Sequence, residues 1–215
     1  MCGIAGQARA GERMADGALI RRMCARIVHR GPDDEGIYVA DNIRLGMRRL
    51  AIIDVAGGQQ PIFNESRQIV TVCNGEIYNF QEIRRHLELR GHRFACGSDV
   101  EAVVHLYEEH GDELLDHLRG MYALALWDEA QKRLLLAVDR MGKKPLYYHH
   151  AADGTLTFGS ELKALLAVES VPRELDPSAL ELYLALGYVP APRTVYREMA
   201  KLAPGHHLVW QAGKI

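Results

Sequence analysis

The sequence predicts an α+β layered sandwich built on mostly antiparallel sheets. Three observations carry that expectation. Strand-length apolar runs are numerous and follow one another across short turns. Two of them, at 121–127 and 134–138, are almost unbroken, as in the middle of a sheet covered on both faces. The helical stretches are grouped between the strands.

Residues 2–8 read as a short apolar strand punctuated by Gly3 and Gly6. Asp16 can cap a helix to about 28, with Leu19, Ile20, Met23, Cys24, Ile27 and Val28 on one face. Cys24 on that stripe is a core residue. Gly31 and Pro32 end the helix in a turn-forming run, 29–34. Strands are expected at 36–40, 43–47 and 50–54, and, past a loop at 57–61, at 62–64 and 68–73. The last of these is expected to stop at the turn signal Asn74-Gly75.

Two helices follow, 80–90 closed by Gly91 and 99–110 closed by Gly111, the second capped by Ser98. Residues 114–118 add a short third. The two long apolar strands form an antiparallel pair, and 145–149 and 155–159 add two strands. Ser160 caps a helix through 166, and Asp176-Pro177 opens another to about 186. Residues 206–211 read as a strand entering a turn at 212–214. The chain stops where a returning strand is expected, which reads as a piece of a longer protein.

The bulk composition narrows the function. The 215 residues allow one large domain, or one domain plus a short extension. Hydrophobic content of 48% and charged content of 25% are ordinary for a soluble globular protein. Lys+Arg 26 against Asp+Glu 28, interleaved, offers no basic block for nucleic acid. No run is long enough to span a bilayer and no secretory pattern opens the chain. Cys2, Cys24, Cys73 and Cys96 form no CxxC pair or disulfide framework, so a reducing cytoplasm fits. The 10 histidines show no ligand spacing, and the adjacent pairs His149-His150 and His206-His207 read as solvated or capping residues. No metal site is expected.

Cys2 is the first chemical candidate. Once Met1 is trimmed, that residue carries a thiol and a free α-amine, with reference pKa values of roughly 8.5 and 7.7–8.0. A nucleophile and a near-neutral base then sit on one residue. Attack on a carboxamide carbon needs donors for the oxyanion, and Asn74-Gly75 offers a side-chain amide and an unhindered N–H. Arg49, at the start of a strand, could clamp a carboxylate or be a solvated edge charge. Asp99, in the first helical turn, could hold a substrate ammonium or serve the helix dipole, and Glu76 could do either. Taken singly each has a structural reading; together they supply what an amino-acid amide such as glutamine requires.

Here a family resemblance becomes specific. MCGI at 1–4, HRGPD at 29–33, RLAIID at 49–54, NGEIYNF at 74–80 and GSDVE at 97–101 resemble the glutaminase domain of class II glutamine amidotransferases. RGMYALALWD at 119–128, DRMGKKPLYY at 139–148 and GSELKAL at 159–165 extend the likeness along nearly the whole chain. The pattern looks most like glutamine-hydrolysing asparagine synthetases and their close relatives. GYVPAPRT and KLAPGH, within 187–206, resemble the lead-in to an ATP-using synthetase domain that is itself absent. Lys143, where an apolar residue is commoner, and Ala203, in place of the first Pro of PPGH, depart from the pattern away from the proposed site.

The resemblance implies an N-terminal-nucleophile hydrolase fold, a four-layer αββα sandwich. It implies a glutaminase domain at 1–185 and the start of a linker at 186–215. It assigns Cys2 as nucleophile, its amine as proton shuttle, and Asn74 with Gly75 as oxyanion hole. Arg49 resembles the residue holding the glutamine α-carboxylate and Asp99 the one holding its ammonium; Leu50, Ile52, Ile53 and Glu76 would line the pocket. The glutaminase half needs no cofactor, whereas ATP and Mg are expected only for the absent domain. The implied partners are L-glutamine and the parent chain's synthetase domain, with no nucleic acid or membrane; oligomeric state is left open, a homodimer included. Three alternatives stand beside asparagine synthesis. One is the glutaminase of a sugar- or nucleotide-directed amidotransferase. Another is a relative amidating a different carboxylate, for example a polysaccharide-linked one. The third is a non-catalytic glutamine-binding or docking module.

Overall fold

A computed structural model describes residues 1–11, 14 and 16–215. The strands are β1 (Gly3–Ala8), β2 (Asp34–Ala40), β3 (Ile43–Arg49), β4 (Ile62–Phe63), β5 (Ile69–Ile77), β6 (Gly120–Asp128), β7 (Arg133–Val138), β8 (Tyr147–His150), β9 (Leu156–Gly159), β10 (Ala200–Lys201) and β11 (His207–Gln211). The helices are α1 (Ala18–Ala25), α2 (Phe80–Leu89), α3 (Glu101–His110), α4 (Leu114–His117), α5 (Leu162–Leu165) and α6 (Pro177–Leu186).

The strands form two sheets, ordered β10-β8-β9-β1-β3-β2 and β11-β7-β6-β5-β4, and every pairing is antiparallel. The sheets pack face to face through Ile4, Leu45, Met47, Phe158, Val72, Ala125, Trp127 and Trp210. The two tryptophan rings lie 6.3 Å apart at the centre of that interface. The outer face of the first sheet is covered by α1 and α5, which supply Ile20, Met23, Cys24, Ala164 and Leu165. The outer face of the second is covered by α2, α3 and α4, which supply Ile83, Leu87, Val103, Val104 and Leu114. The result is the expected αββα sandwich.

The helical stripe that includes Cys24 docks closely because Gly46 of β3 has no side chain; a Cβ there would stand 2.4 Å from Cys24 Sγ. Asp176 caps α6 as predicted, accepting from Ser178 N–H at 3.0 Å with Pro177 in the first turn. Strands from beyond residue 186, β10 and β11, pair with β8 and β7. β11 runs into the turn expected at 212–214, closed by reciprocal Gln211 and Lys214 backbone bonds of 3.0 Å.

Several local expectations fail, each for a tertiary reason. Asn74-Gly75 does not end its strand. β6 offers a full-length partner, pairing Asn74 with Ala123 and Gly75 with Tyr122, so β5 continues to Ile77. Residues 50–54 form no strand, because β1 begins at Gly3 and offers nothing beyond Arg48 to pair with. Arg49 therefore ends β3 instead of starting a strand, and its guanidinium gathers the carbonyls of Ile53, Asp54 and Val55 at 3.0, 2.7 and 3.3 Å. Asp99 precedes α3 instead of lying in its first turn, and its carboxylate accepts the Ile77 N–H at 2.7 Å. Ser160 caps nothing; its hydroxyl accepts the Ile4 N–H at 2.9 Å and ties α5's approach to β1. His149 is buried, its Nδ1 2.7 Å from Glu198 O, where a solvated residue was expected.

One substitution tests how the exposed edge of β5 is managed. The buried Gln60 amide mimics a neighbouring strand, donating to Cys73 O at 3.1 Å and accepting from Cys73 N–H at 2.6 Å. Gln60→Ala leaves both backbone groups unsatisfied, at about 1–3 kcal/mol each. Chemical denaturation should show that loss as a lower midpoint at an unchanged slope.

Candidate active site

The first residues are held by the sheet they enter. β1 lies between β3 and β9, so Cys2 projects from the end of a central strand into the gap between the sheets. Its carbonyl accepts from Arg30 Nε at 2.8 Å. The Asn74 amide, oriented to suit both of its neighbours, donates to the same carbonyl at 2.9 Å and accepts from Arg30 Nη2 at 3.3 Å. The thiol meets the backbone of Leu50, whose N–H donates to Sγ at 3.3 Å, while the S–H faces Leu50 O at 3.5 Å. Met1 stands beside it, so the Cys2 nitrogen is a peptide amide while Met1 is present.

Arg30 was not singled out from the sequence, although HRGPD contains it. It sits in a 3-10 turn (Val28–Arg30), buried, and it passes Gly3 so closely that a Cβ there would lie 3.0 Å from its Cδ. Glu161 anchors its far end at 3.1 Å. Burial works to raise the Glu161 pKa, but hydrogen bonds from His29, Lys163 and Arg30 overcome it and hold the carboxyl below its ordinary value. In the same run, Asp33 accepts the Ala51 N–H at 3.0 Å, next to Leu50.

All nine residues singled out from the sequence line one cavity of about 180 Å³: Cys2, Arg49, Leu50, Ile52, Ile53, Asn74, Gly75, Glu76 and Asp99. Gly58, Gln60, Ser98 and Lys144 line it too and were missed. Asp54 joins two of its walls, accepting from Gly57 N–H at 2.9 Å and Gly97 N–H at 2.7 Å.

Strand alternation decides what β5 shows to this cavity. Successive residues turn their backbone groups to opposite edges. On the β4 side, Asn64 N–H donates to Ile69 O at 3.1 Å, Gln60 takes Cys73, and Asp99 takes the Ile77 N–H at 2.7 Å. Gly75 falls between Cys73 and Ile77 on that same side, past the last β4 pairing at Ile62 with Thr71. Its N–H therefore faces the cavity.

Two charges of opposite sign occupy separate parts of the lining. Arg49 is buried, bonded to carbonyls, and takes part in none of the ion pairs among the described residues. A buried guanidinium with no counter-charge favours an anion at its free face. Asp99 is buried as well. Desolvation raises its pKa, the Ile77 hydrogen bond works against that, and the nearby Glu76 carboxylate adds to the rise. A cation beside it would restore the ionised form.

Of the four cysteines, three are unsuited to nucleophilic work. Burial pushes the thiols of Cys24 and Cys96 up to about 12. Burial also pushes Cys73 well above its ordinary value. Cys2 is the thiol that lines the cavity. A second cluster, Glu65, His92, His105 and Glu108, lies outside the cavity and is the group of converging metal-type ligands among the described residues.

The chain is similar to known proteins along its whole length. Residues 1–215 match the family described as the glutamine amidotransferase domain. Among curated relatives, asparagine synthetase [glutamine-hydrolyzing] 1 of Bacillus subtilis (strain 168) is 39% identical over 187 residues, 87% of this chain and 29% of the relative. Asparagine synthetase [glutamine-hydrolyzing] 3 of the same organism is 34% identical over 214 residues, 98% of this chain and 35% of the relative. A putative asparagine synthetase [glutamine-hydrolyzing] 2 of Methanocaldococcus jannaschii is 35% identical across 100% of this chain and 45% of the relative. The chain thus spans less than half the length of these relatives. Among solved structures, the glutamine phosphoribosylpyrophosphate amidotransferase from B. subtilis shares the fold, with a TM-score of 0.64 at 18% identity over 98% of this chain and 49% of that one. The allosteric regulatory enzyme of purine biosynthesis does so at 0.66 and 23%, over 82% of this chain and 45% of that one.

Gly75 gives a direct test of the site's geometry. A Cβ at that position would lie 2.0 Å from Met121 O, so the β5–β6 ladder must open where the strand meets the cavity. Gly75→Ala is expected to cost about 1–3 kcal/mol, in the range of overpacking. Amide exchange should rise at Glu76 and Met121, whose backbone groups turn into that ladder, and stay unchanged in the first sheet.

Proposed function

The chain belongs to the glutamine amidotransferase domain family, and on that premise we propose that it hydrolyses L-glutamine to glutamate and ammonia through a thioester on Cys2. The observation that carries this reading is the placement of one cavity-facing thiol beside a free backbone N–H, with a buried cation and a buried anion further along the same lining. Glutamine has the matching parts: a carboxamide, an α-carboxylate and an α-ammonium.

The chemistry begins after Met1 is removed. The α-amine of Cys2 takes the thiol proton, and Sγ attacks the amide carbon. The oxyanion is stabilised by the Gly75 N–H and the Asn74 amide. Collapse breaks the C–N bond, and the amine returns its proton to the departing ammonia. Water, deprotonated by the same amine, cleaves the thioester to release glutamate and regenerate the thiol. Arg30 supports this by fixing the Cys2 carbonyl, and so the direction of the thiol. Arg49 holds the α-carboxylate, Asp99 the α-ammonium, and Leu50, Ile52, Ile53 and Glu76 shape the pocket between them. None of these steps calls for a cofactor.

The ammonia acceptor in the parent protein is proposed to be an ATP-activated aspartate, by likeness to the glutamine-hydrolysing asparagine synthetases. That half of the reaction, with its ATP and Mg, would belong to a synthetase domain in the same chain, joined through residues 186–215. The exposed Leu180, Tyr183, Leu184 and Leu186 of α6 suit docking against such a domain. The compartment proposed is the cytoplasm, in keeping with four free thiols.

Ammonia release from glutamine by protein whose intact mass lacks Met1 is the primary test. Cys2→Ala should reduce it to background with the fold retained by circular dichroism; glutaminase turnover by that variant would overturn the reading. Arg49→Ala removes charge-assisted bonds of about 1.5–3 kcal/mol, so KM should rise roughly 10–150-fold with kcat little changed.

Asp99 supplies a pH signature. Because its pKa is raised, it takes up a proton at a higher pH than an ordinary aspartate. kcat/KM should therefore fall as pH drops through that raised value, as the ammonium loses its partner. The sign for stability is opposite: the folded state favours the protonated carboxyl, so this contribution is present at low pH and lost as pH rises. Asp99→Asn should thus weaken glutamine binding near neutrality while raising, or leaving unchanged, the unfolding temperature. A variant that is both less stable and unaltered in KM would exclude this role.

A further inference from the structure

Outside the glutamine cavity, four side chains from three segments of chain converge. Glu65 lies between β4 and β5, His92 follows α2, and His105 and Glu108 stand one turn apart on α3. One ligand atom from each lies within 4.8 Å of all the others. Both imidazoles turn the same atom toward the same two carboxylates. His105 Nδ1 is 3.2 Å from Glu108 Oε2 and 3.3 Å from Glu65 Oε2. His92 Nδ1 is 3.6 Å from Glu108 Oε2 and 3.8 Å from Glu65 Oε1.

The two His105 separations match a known geometry, and the His92 contacts of 3.6 and 3.8 Å are somewhat wider. A tetrahedral ion with bonds of about 2.0–2.1 Å spaces its ligands roughly 3.3–3.4 Å apart. The outer contacts fit as well, since a ligating imidazole usually gives its second N–H to a carboxylate or carbonyl. His92 Nε2 is 3.1 Å from Glu109 Oε1. His105 Nε2 is buried without a hydrogen-bond partner and faces Glu101 Oε1 at 3.8 Å. Both carboxylates are steadied: Asn64 Nδ2 donates to Glu108 Oε1, and Arg93 N–H to Glu65 Oε1, each at 2.8 Å. His105 is fully enclosed, whereas Glu65 and Glu108 reach solvent, so an ion has a way in.

We propose that Glu65, His92, His105 and Glu108 form a structural divalent-cation site. Two imidazole nitrogens and two carboxylate oxygens are a donor set that suits Zn²⁺. Four protein ligands fill the coordination sphere, so the ion acts as a clasp between the β4–β5 turn, the α2–α3 connection and α3. The clasp reaches the glutamine cavity through Glu101, which accepts the backbone N–H groups of Ala95 and Cys96 at 2.6 and 2.9 Å, just ahead of Ser98 and Asp99.

The test uses the full chain, free of an affinity tag that binds metals and stripped with a chelator, with Co²⁺ as probe and Zn²⁺ as competitor. One equivalent of Co²⁺ with the intense visible absorption of a tetrahedral N/O complex is expected, displaced by Zn²⁺, with a higher unfolding temperature. Glu65→Gln, at an exposed position, and His92→Gln, at a half-buried one, should each weaken Co²⁺ binding by about tenfold or more. Cys2→Ala should bind as the parent does, which keeps this result separate from the fate of the glutaminase reading. No stoichiometric binding, a weak octahedral spectrum, or undiminished binding in both cluster variants would overturn the proposal.

Discussion

A chain terminus is ordinarily the loosest part of a fold, and here it is locked into the middle of a sheet. β1 has β3 on one side and β9 on the other, and both of its faces are buried. Everything that gives Cys2 a fixed position follows from that placement. Gly3 lets Arg30 cross the strand's entrance, Ser160 takes the next free N–H, and Leu50 meets the thiol from the far side. A nucleophile on the second residue would otherwise sweep out a volume instead of occupying a point. The sandwich converts the chain's most mobile end into one of its most constrained.

The second sheet contributes through what it leaves unpaired. β4 is only two residues long, so most of one edge of β5 has no strand beside it. An open edge is normally a liability. In this molecule side chains take up the edge piecemeal: Gln60 at Cys73, Asp99 at Ile77, and between them the Gly75 amide facing the cavity. The same shortfall that exposes a strand edge therefore creates a donor aimed at a ligand. Neither Gln60 nor Asp99 could do this had β4 continued alongside.

Much of this was legible in the sequence because the signals were local and redundant. The stripe on α1, the paired apolar runs of β6 and β7, and the Asp176-Pro177 cap of α6 are each marked by residues close together in the chain. The nine cavity residues could be named because they sit in recognisable motifs. What failed depended on partners far away in sequence. Asn74-Gly75 is a turn signal until β6 lies beside it, and 50–54 looks like a strand until β1 is seen to end. Gln60 and Lys144 carry no local mark of their place in the cavity. His92 and Glu65 likewise gain meaning only when the α2–α3 connection brings them to His105.

The uneven burial of the four thiols has a consequence for the molecule's chemical durability. Sulfur is attacked by peroxide and electrophiles mainly as thiolate, and three of the four are held protonated by their surroundings. Damage is thus channelled toward the one thiol in the cavity. Oxidative loss in this fold would fall on a single residue, with the scaffold left standing around it.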